Sequence, residues 1–322
     1  GTNATSCPLN HLATAGCSCA ALVCVTAVVT ADRRRQAYLA QTVRAIQGWQ
    51  VRTSLRVLTN DPPGVRIRLE LAGVSAFADP SNQCGGTLKV IKPTSKRYFE
   101  KARSSSGNFF LTWAHRDVLE REHFGHDLFV YLEDDMELLW HKVIAWGEDE
   151  YLLEQSGSQF HRGFFRWEQR ADGSRTVLEG CPFDFAGRHC KLTVSGRLFL
   201  GLQEPYYAAW LMTRPRLEAL RSSKWWWPNA TSDDTIEFDG AVICPWNIRE
   251  CAASGDAFLG NFSSAGGHVR DCKTSHLVRV ETDGGALPRL SELSGLHHLG
   301  QNKNRLSPRT WTFQKCIRHG KL

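Results

Sequence analysis

Residues 127–136 read DLFVYLEDDM, and this segment constrains the fold more than any other. Five apolar residues, Leu128 to Leu132, run straight into Glu133-Asp134-Asp135. An unbroken apolar run of this length is what a strand needs when both faces of its sheet are covered. Three carboxylates then end the strand at once. Burying one unpaired charge costs several kcal/mol, so three in a row point to a compensating positive charge. The simplest is a hard divalent cation, which takes oxygen ligands and keeps open positions for substrate phosphates. An exposed acidic turn is the plainer alternative for the tripeptide alone. In open α/β sheets, however, ligands bind beyond the carboxyl ends of the strands.

The rest of the chain reads as alternating strands and helices. Ala21 to Val29 (ALVCVTAVV) is a buried strand, and a helix pattern covers Gln36 to Ile46. Ser54 to Leu58 is a second strand, closed by a turn at Thr59 to Pro63. Val65 to Leu71 (VRIRLEL) alternates and is read as a third strand, and the polar stretch Ser81 to Ser106 as loop or short helices. Helices are expected over Phe109–Glu122 and Met136–Leu153. Phe160–Glu168 and Ser174–Leu178 read as strands of a more antiparallel half. Tyr206–Thr213 is another buried strand, and a helix follows Arg214-Pro215. This order predicts an α/β fold with a mixed, mostly parallel sheet.

At 322 residues, 42% hydrophobic and 22% charged, the chain is globular with ample core. A net charge of +6 favours anionic ligands, but no nucleic-acid-binding motif or basic stripe accompanies it. The 11 cysteines lack zinc-site spacing. With the sequons at Asn3, Asn229 and Asn261 they point to an oxidising, secretory compartment. Cys181 with Cys190 and Cys244 with Cys251 are plausible local bridges, and the odd count leaves at least one thiol outside an intrachain pair. The longest apolar run, Ala20 to Val29, is about half of the ~20 residues a membrane span needs. The expectation is a lumenal domain, with residues 1–19 as a stem and any membrane anchor outside this chain.

The strand FVYL with Glu133-Asp134-Asp135, followed by an acceptor-side strand, a second acidic cluster and a late histidine, resembles the GT-A glycosyltransferases. The resemblance covers roughly Ala21 to Asn304. It implies a GT-A-like, Rossmann-type sheet flanked by helices. Residues 20–136 would form a nucleotide-binding half and 137–322 an antiparallel acceptor-binding half. It also implies an acidic DxD-like motif holding Mn²⁺ or Mg²⁺ against a nucleotide-sugar diphosphate, a UDP-sugar being favoured, and a glycan or glycoprotein hydroxyl as acceptor. The secretory setting would then be the Golgi lumen, with no nucleic-acid partner.

The resemblance carries roles onto single residues. Asp135 would be the direct metal ligand, with His297 or His298 as a second. Asp134 would touch ribose or metal-bound water, and Glu133 would lie behind it. Thr30, Asp32 and Arg33 after the first strand, and Asn60 and Asp61 after the second, would grip base and ribose. Lys101, Arg103, Asn108 and Lys303 would meet phosphate oxygens. Asp233 or Asp234 would deprotonate the acceptor if the reaction inverts, and bind acceptor if it retains; Glu237 and Asp239 are rivals. Ser232, Asp233 and Asp234 would equally suit a helix cap. In Trp225-Trp226-Trp227, Trp226 and Trp227 could stack on sugar CH faces beside Glu237. Two other classes compete: a secreted carbohydrate-binding protein using Ca²⁺, and a metal-dependent nucleotidyltransferase or phosphohydrolase. No Gly-rich phosphate loop supports the latter.

Overall fold

The structure is a computed structural model that describes residues 7, 12–27, 33–74, 84–93, 111–158, 160–169, 173, 175–177, 191–201, 209–222, 226, 276–281 and 289–299. In chain order the elements are α1 (Leu12–Ala15), β1 (Ala20–Ala27), α2 (Arg33–Gln47), β2 (Arg52–Thr59), α3 (Pro62–Leu71), β3 (Gly86–Ile91), α4 (Leu111–Glu122), β4 (Leu128–Glu133), β5 (Met136–Glu137) and α5 (Trp140–Gln155). There follow β6 (His161–Arg162), β7 (Phe165–Gln169), β8 (Arg175–Val177), β9 (Lys191–Val194), β10 (Arg197–Gly201), β11 (Ala209–Thr213), α6 (Arg214–Ser222), β12 (His276–Glu281), β13 (Arg289–Leu290) and β14 (Gly295–His298). The chain forms two compact units, Gly1–Trp140 with Ala208–Trp246, and His141–Tyr207 with Asn247–Leu322. The chain then returns to the first unit at 208, which no composition change announces.

The first unit is a five-stranded sheet in the order β11-β4-β1-β2-β3. β1 pairs in parallel with β2 and β4, β2 pairs in parallel with β3, and only β11 is antiparallel. Every residue of β1 is buried, as a central parallel strand covered on both faces requires. The crossovers through α2 and α3 move along the sheet in one direction, and the crossover through α4 returns past β1. Right-handed connections therefore set α4 on the face opposite α2 and α3. Side chains agree with this: Arg44 of α2 donates to Ala72 O just past α3, whereas Arg56 of β2 reaches Glu122 of α4. Two disulfides, Cys7–Cys19 and Cys17–Cys84, link residues 7 and 19 to each other and residue 17 to Cys84, two residues before β3. The second closes a long loop, worth on the order of 4 kcal/mol in chain entropy. Cys24 of β1 is the free cysteine among the described residues. Burial pushes its thiol far up, which makes it a packing group.

Two segments differ from their sequence reading. Residues 65–71 are helical. Asp61 caps α3 by accepting from Gly64 N at 3.1 Å, and prolines stand at its first positions. Val65 and Leu69, four apart, are buried, while Ile67 and Leu71 are 56% and 84% exposed. The apparent alternation therefore mixed one buried helical stripe with exposed apolar residues. Gly86–Ile91, inside the stretch read as loop, is β3. It lies at the end of the strand order, and its mix of exposed and half-buried residues hides the apolar signal. The helix expected from Met136 starts only at Trp140.

The second unit is mostly antiparallel. β10 pairs with β9 and β12, β12 with β13, and β7 with β8, all antiparallel; β6–β12 and β7–β14 are parallel. The β9–β10 hairpin turns through Ser195 and Gly196, both at positive φ, which is the two-residue turn whose twist matches a hairpin. Leu153 of α5 packs with Phe160 and Phe199, bordered by Leu192 and Val194. The strand expected over Phe160–Glu168 is broken at Gly163-Phe164. The backbone at Arg162 is claimed by α5: its N–H donates to Glu150 at 2.7 Å, and its carbonyl accepts from Trp146 Nε1 at 2.9 Å.

Beneath that break lies a buried ionic cluster. Asp149 of α5 accepts from Arg162 Nε at 2.9 Å and Arg197 Nη1 at 2.7 Å, with Arg279 Nη1 at 3.7 Å. Glu150 also faces His161 Nδ1 at 3.2 Å, and Glu148 holds Arg197 at 3.1 Å. Arg162 is wholly buried and donates as well to Ser294 Oγ at 2.8 Å. Burial lowers its pKa and Asp149 opposes that shift. The reading of the sequence had not singled out any of these residues.

Candidate functional site

The strand ends of the first unit are level. Thr26 of β1 stands beside Glu133 of β4, and Ala27 beside Thr59 of β2. The order of parallel strands reverses at β1, since β2 leads outward one way and β4 the other. This is the topological switch point at which open α/β sheets hold their ligands. The acidic triplet occupies it. Glu133 closes β4, and Asp134-Asp135 make the turn into β5. Parallel neighbours lie about 4.8 Å apart, so Asn60-Asp61 at the tip of β2 stands on the order of 10 Å from the triplet along one sheet edge.

The turn is held from α2. Thr42 Oγ1 donates to the carbonyls of Asp134 (2.9 Å) and Met136 (3.1 Å), and Trp49 Nε1 donates to Leu138 O at 3.0 Å. The carbonyls of residues 134, 136 and 138 are thus engaged from outside instead of in helical hydrogen bonds, and α5 starts only at Trp140. Asp134 and Asp135 are only 6% and 4% exposed, and Glu133 is half-buried. Two carboxylates lie this close to the interior on a backbone held by a buried hydroxyl, and both are hard oxygen donors. Such a set fits Mn²⁺ or Mg²⁺ by its chemistry. Thr42→Val would leave two carbonyls without this donor. We expect a loss of about 1–3 kcal/mol, seen as a lower urea midpoint with an unchanged slope.

Below the tip, on the face toward α4, Tyr131 OH meets Thr26 Oγ1 at 3.1 Å. The Tyr131 ring lies 4.5 Å from His115 of α4 and 6.1 Å from Trp210 of β11. This buried aromatic group packs α4 and β11 against β4 and steadies the strand that carries the triplet. Thr42, Trp49, Tyr131 and His115 were not foreseen as site supports. The one signal available was polar groups at apolar positions of helix and strand.

Other predicted residues fall in several places. Asp61 uses its side chain to cap α3, and Thr59 Oγ1 accepts from Asp61 N at 3.2 Å. Arg33 starts α2. Trp226 is 2% exposed; its Nε1 donates to Glu120 Oε1 at 2.8 Å, and the Arg116 guanidinium lies 5.2 Å over its ring. Both its ring face and its polar edge are thus used in packing α4. In the second unit, His297 stacks on Trp167 at 4.3 Å, and His298 Nδ1 meets Glu168 Oε1 at 2.7 Å. Gly295, also of β14, admits no side chain, because a Cβ there would come within 2.8–2.9 Å of Trp167 and Phe165. Thr30, Asp32, Lys101, Arg103, Asn108, Trp227, Asp233, Asp234, Glu237, Asp239 and Lys303 lie outside the described residues, as do the cysteine pairs 181/190 and 244/251. Among the described residues no group of three or more His, Cys, Asp or Glu is arranged to hold a metal ion.

No protein-family model matches this chain, and no curated protein matches it.

Proposed function

We propose that the protein is a metal-dependent glycosyltransferase that moves a sugar from a nucleotide-sugar donor to a hydroxyl acceptor on a glycan or glycoprotein. The observation that carries the reading is the acidic triplet at the switch point, level with the end of β1 and fixed from α2. In this reading Asp135 is the principal ligand for Mn²⁺ or Mg²⁺, and Asp134 and Glu133 supply neighbouring oxygen contacts. When bound, the ion would neutralise charge on the departing diphosphate.

The chain's own residues do the rest. Thr42 holds the turn so that the carboxylates need no reorganisation on binding. The tip of β2 offers Asn60 toward the nucleoside; Asp61 contributes by fixing the start of α3. Within the second unit, Glu168 holds His298 Nδ1, and His297 spends its ring face on Trp167. Asp233 or Asp234 would take the acceptor proton in an inverting reaction. The two disulfides suit an oxidising compartment, which agrees with a lumenal enzyme.

The test is a turnover assay that follows nucleoside diphosphate released from UDP-, GDP- and other nucleotide sugars with a mixed glycan acceptor pool. We expect release from one donor class, abolished by EDTA and restored by Mn²⁺. Metal-independent release, or no release from any donor, would sink the proposal.

A further inference from the structure

The end of the first unit's sheet opposite the triplet is strapped by the bridge between Cys17 and Cys84. Cys17 lies in a short 3-10 turn, Gly16–Ser18, just before β1, and Cys84 lies just before β3. In the sheet β2 stands between those two strands. Parallel strands two places apart are roughly 10 Å from each other. The two cysteine Cα atoms are only 4.8 Å apart. The lead-ins of β1 and β3 therefore converge across the start of β2. Backbone contacts agree: Arg52 N donates to Cys19 O at 3.2 Å on one side, and Thr53 N donates to Gly85 O at 3.3 Å on the other.

The rest of what holds β3 is modest. It is the last strand in the order, and among the described strands it pairs with β2 alone. None of its residues is fully buried, and Thr87 and Lys89 are exposed. Little apolar burial therefore offsets the entropy of ordering it. Side chains add ties from Arg56 Nη1 to Thr87 Oγ1 at 3.1 Å and from Arg66 Nη2 of α3 to Val90 O at 3.3 Å. The bridge spans a sequence separation of 67, against 12 for Cys7–Cys19, so it removes more freedom from the loosened chain. The two bridges also differ in access. Cys17 is exposed and Cys84 half-buried, whereas Cys19 is 2% exposed. Cys24, buried on β1, is out of reach of exchange.

We infer that the Cys17–Cys84 bridge is a thiol-responsive clip, which a dithiol opens ahead of Cys7–Cys19 and whose opening frees β3 from the sheet edge. A thiolate of the dithiol attacks the exposed Cys17 sulfur, the protein S–S bond breaks, and Cys84 leaves as a thiolate that takes up a proton. The second thiol of the reagent then attacks the mixed disulfide and releases Cys17 as a thiol. The dithiol is oxidised to its disulfide, and the protein bridge is reduced by the same two electrons. The far end of β3, Ile91, pairs with Leu58, next to Thr59 and the Asn60-Asp61 tip. Opening the clip thus loosens the edge beside that tip. β1 and β4, buried at the centre of the sheet, keep their pairing.

Graded dithiothreitol treatment of the intact folded protein, quenched with iodoacetamide and read by peptide mass spectrometry, gives the order of opening. Cys17 and Cys84 should be alkylated on the order of tenfold sooner than Cys7 and Cys19. Hydrogen exchange on the species in which Cys17 and Cys84 have reacted and Cys7–Cys19 is intact reads the consequence. Protection of amides 86–91 should fall on the order of tenfold or more, with β1 and β4 changed by less than about twofold. Simultaneous or reversed reduction of the two bridges would overturn the inference. So would a Cys17–Cys84 bridge that resists dithiothreitol until the whole chain unfolds, unchanged protection of β3, or loss of protection throughout the sheet. The double variant Cys17→Ser and Cys84→Ser should show the loosened β3 from the outset and no further change with dithiothreitol; further loosening there would also refute the clip. If that variant does not fold, the graded reduction of the wild type, which starts from the folded chain, decides alone.

Discussion

Asp135→Asn is expected to weaken metal-dependent nucleotide binding by at least the 10–100-fold that loss of an outer-shell partner costs, and by more if Asp135 is the direct ligand. The substitution is isosteric and removes only the charge. The backbone of the turn is held through its carbonyls by Thr42, so the local structure has no reason to change. Asp135 is 4% exposed, and the amide keeps the shape of the buried side chain while removing its charge. The expected signature is lost binding in a titration with Mn²⁺ and the nucleotide, by a protein that still unfolds in one cooperative transition. Thr42→Val should show the other pattern, with lower stability first and weaker binding as a consequence. Unaltered nucleotide affinity in a folded Asp135→Asn protein would remove the metal from the account.

Asp149→Ala is expected to be the most destabilising single change in the second unit, at about 3–5 kcal/mol. The wild-type carboxylate is buried and meets Arg162 and Arg197 directly, with Arg279 close by. Its removal leaves the fully buried Arg162 guanidinium without its ion partner, and that uncompensated charge is the main cost. For a unit of this size the loss corresponds to a fall of roughly 10 °C in melting temperature. Pairing Asp149→Leu with Arg162→Met should recover much of it, because an apolar pair avoids burying either charge. Calorimetry of the single and paired variants checks both statements. A single variant within 1 °C of wild type would show that the cluster contributes nothing.

The legible parts of the fold were those in which local pattern and final environment agree. FVYL followed by EDD could be read because a both-face-buried strand and its charged end are contiguous in sequence. The strands at Ala20–Ala27 and Ala209–Thr213 were legible for the same reason. VRIRLEL was misread because Arg and Glu alternate with apolar residues. Asp61 and the two prolines decide for a helix, and only Val65 and Leu69 face inward. Gly86–Ile91 was hidden by its exposed threonine and lysine. The β9–β10 hairpin carried a usable signal, Ser195-Gly196 between short alternating runs, that was not used.

The candidate site divides in the same way. Glu133 to Asp135 stood out because charge follows an apolar run. Thr42 did not, since nothing in its own neighbourhood says that a hydroxyl in a helix will bind carbonyls far along the chain. Trp226 stood out as part of a tryptophan run; in the structure its ring lies under Arg116 and its N–H donates to Glu120. The link between Asp149, Arg162, Arg197 and Arg279 exists only through tertiary pairing, and no spacing rule reports it.

The most direct measurement is a calorimetric titration of the wild-type protein with UDP, GDP and CMP, each with and without Mn²⁺. The account predicts that one of these nucleotides binds, that binding needs the metal, and that EDTA reverses it. Failure of all three to bind with Mn²⁺ present, together with a response to free glycans and Ca²⁺, would contradict it and make the chain a carbohydrate-binding protein instead.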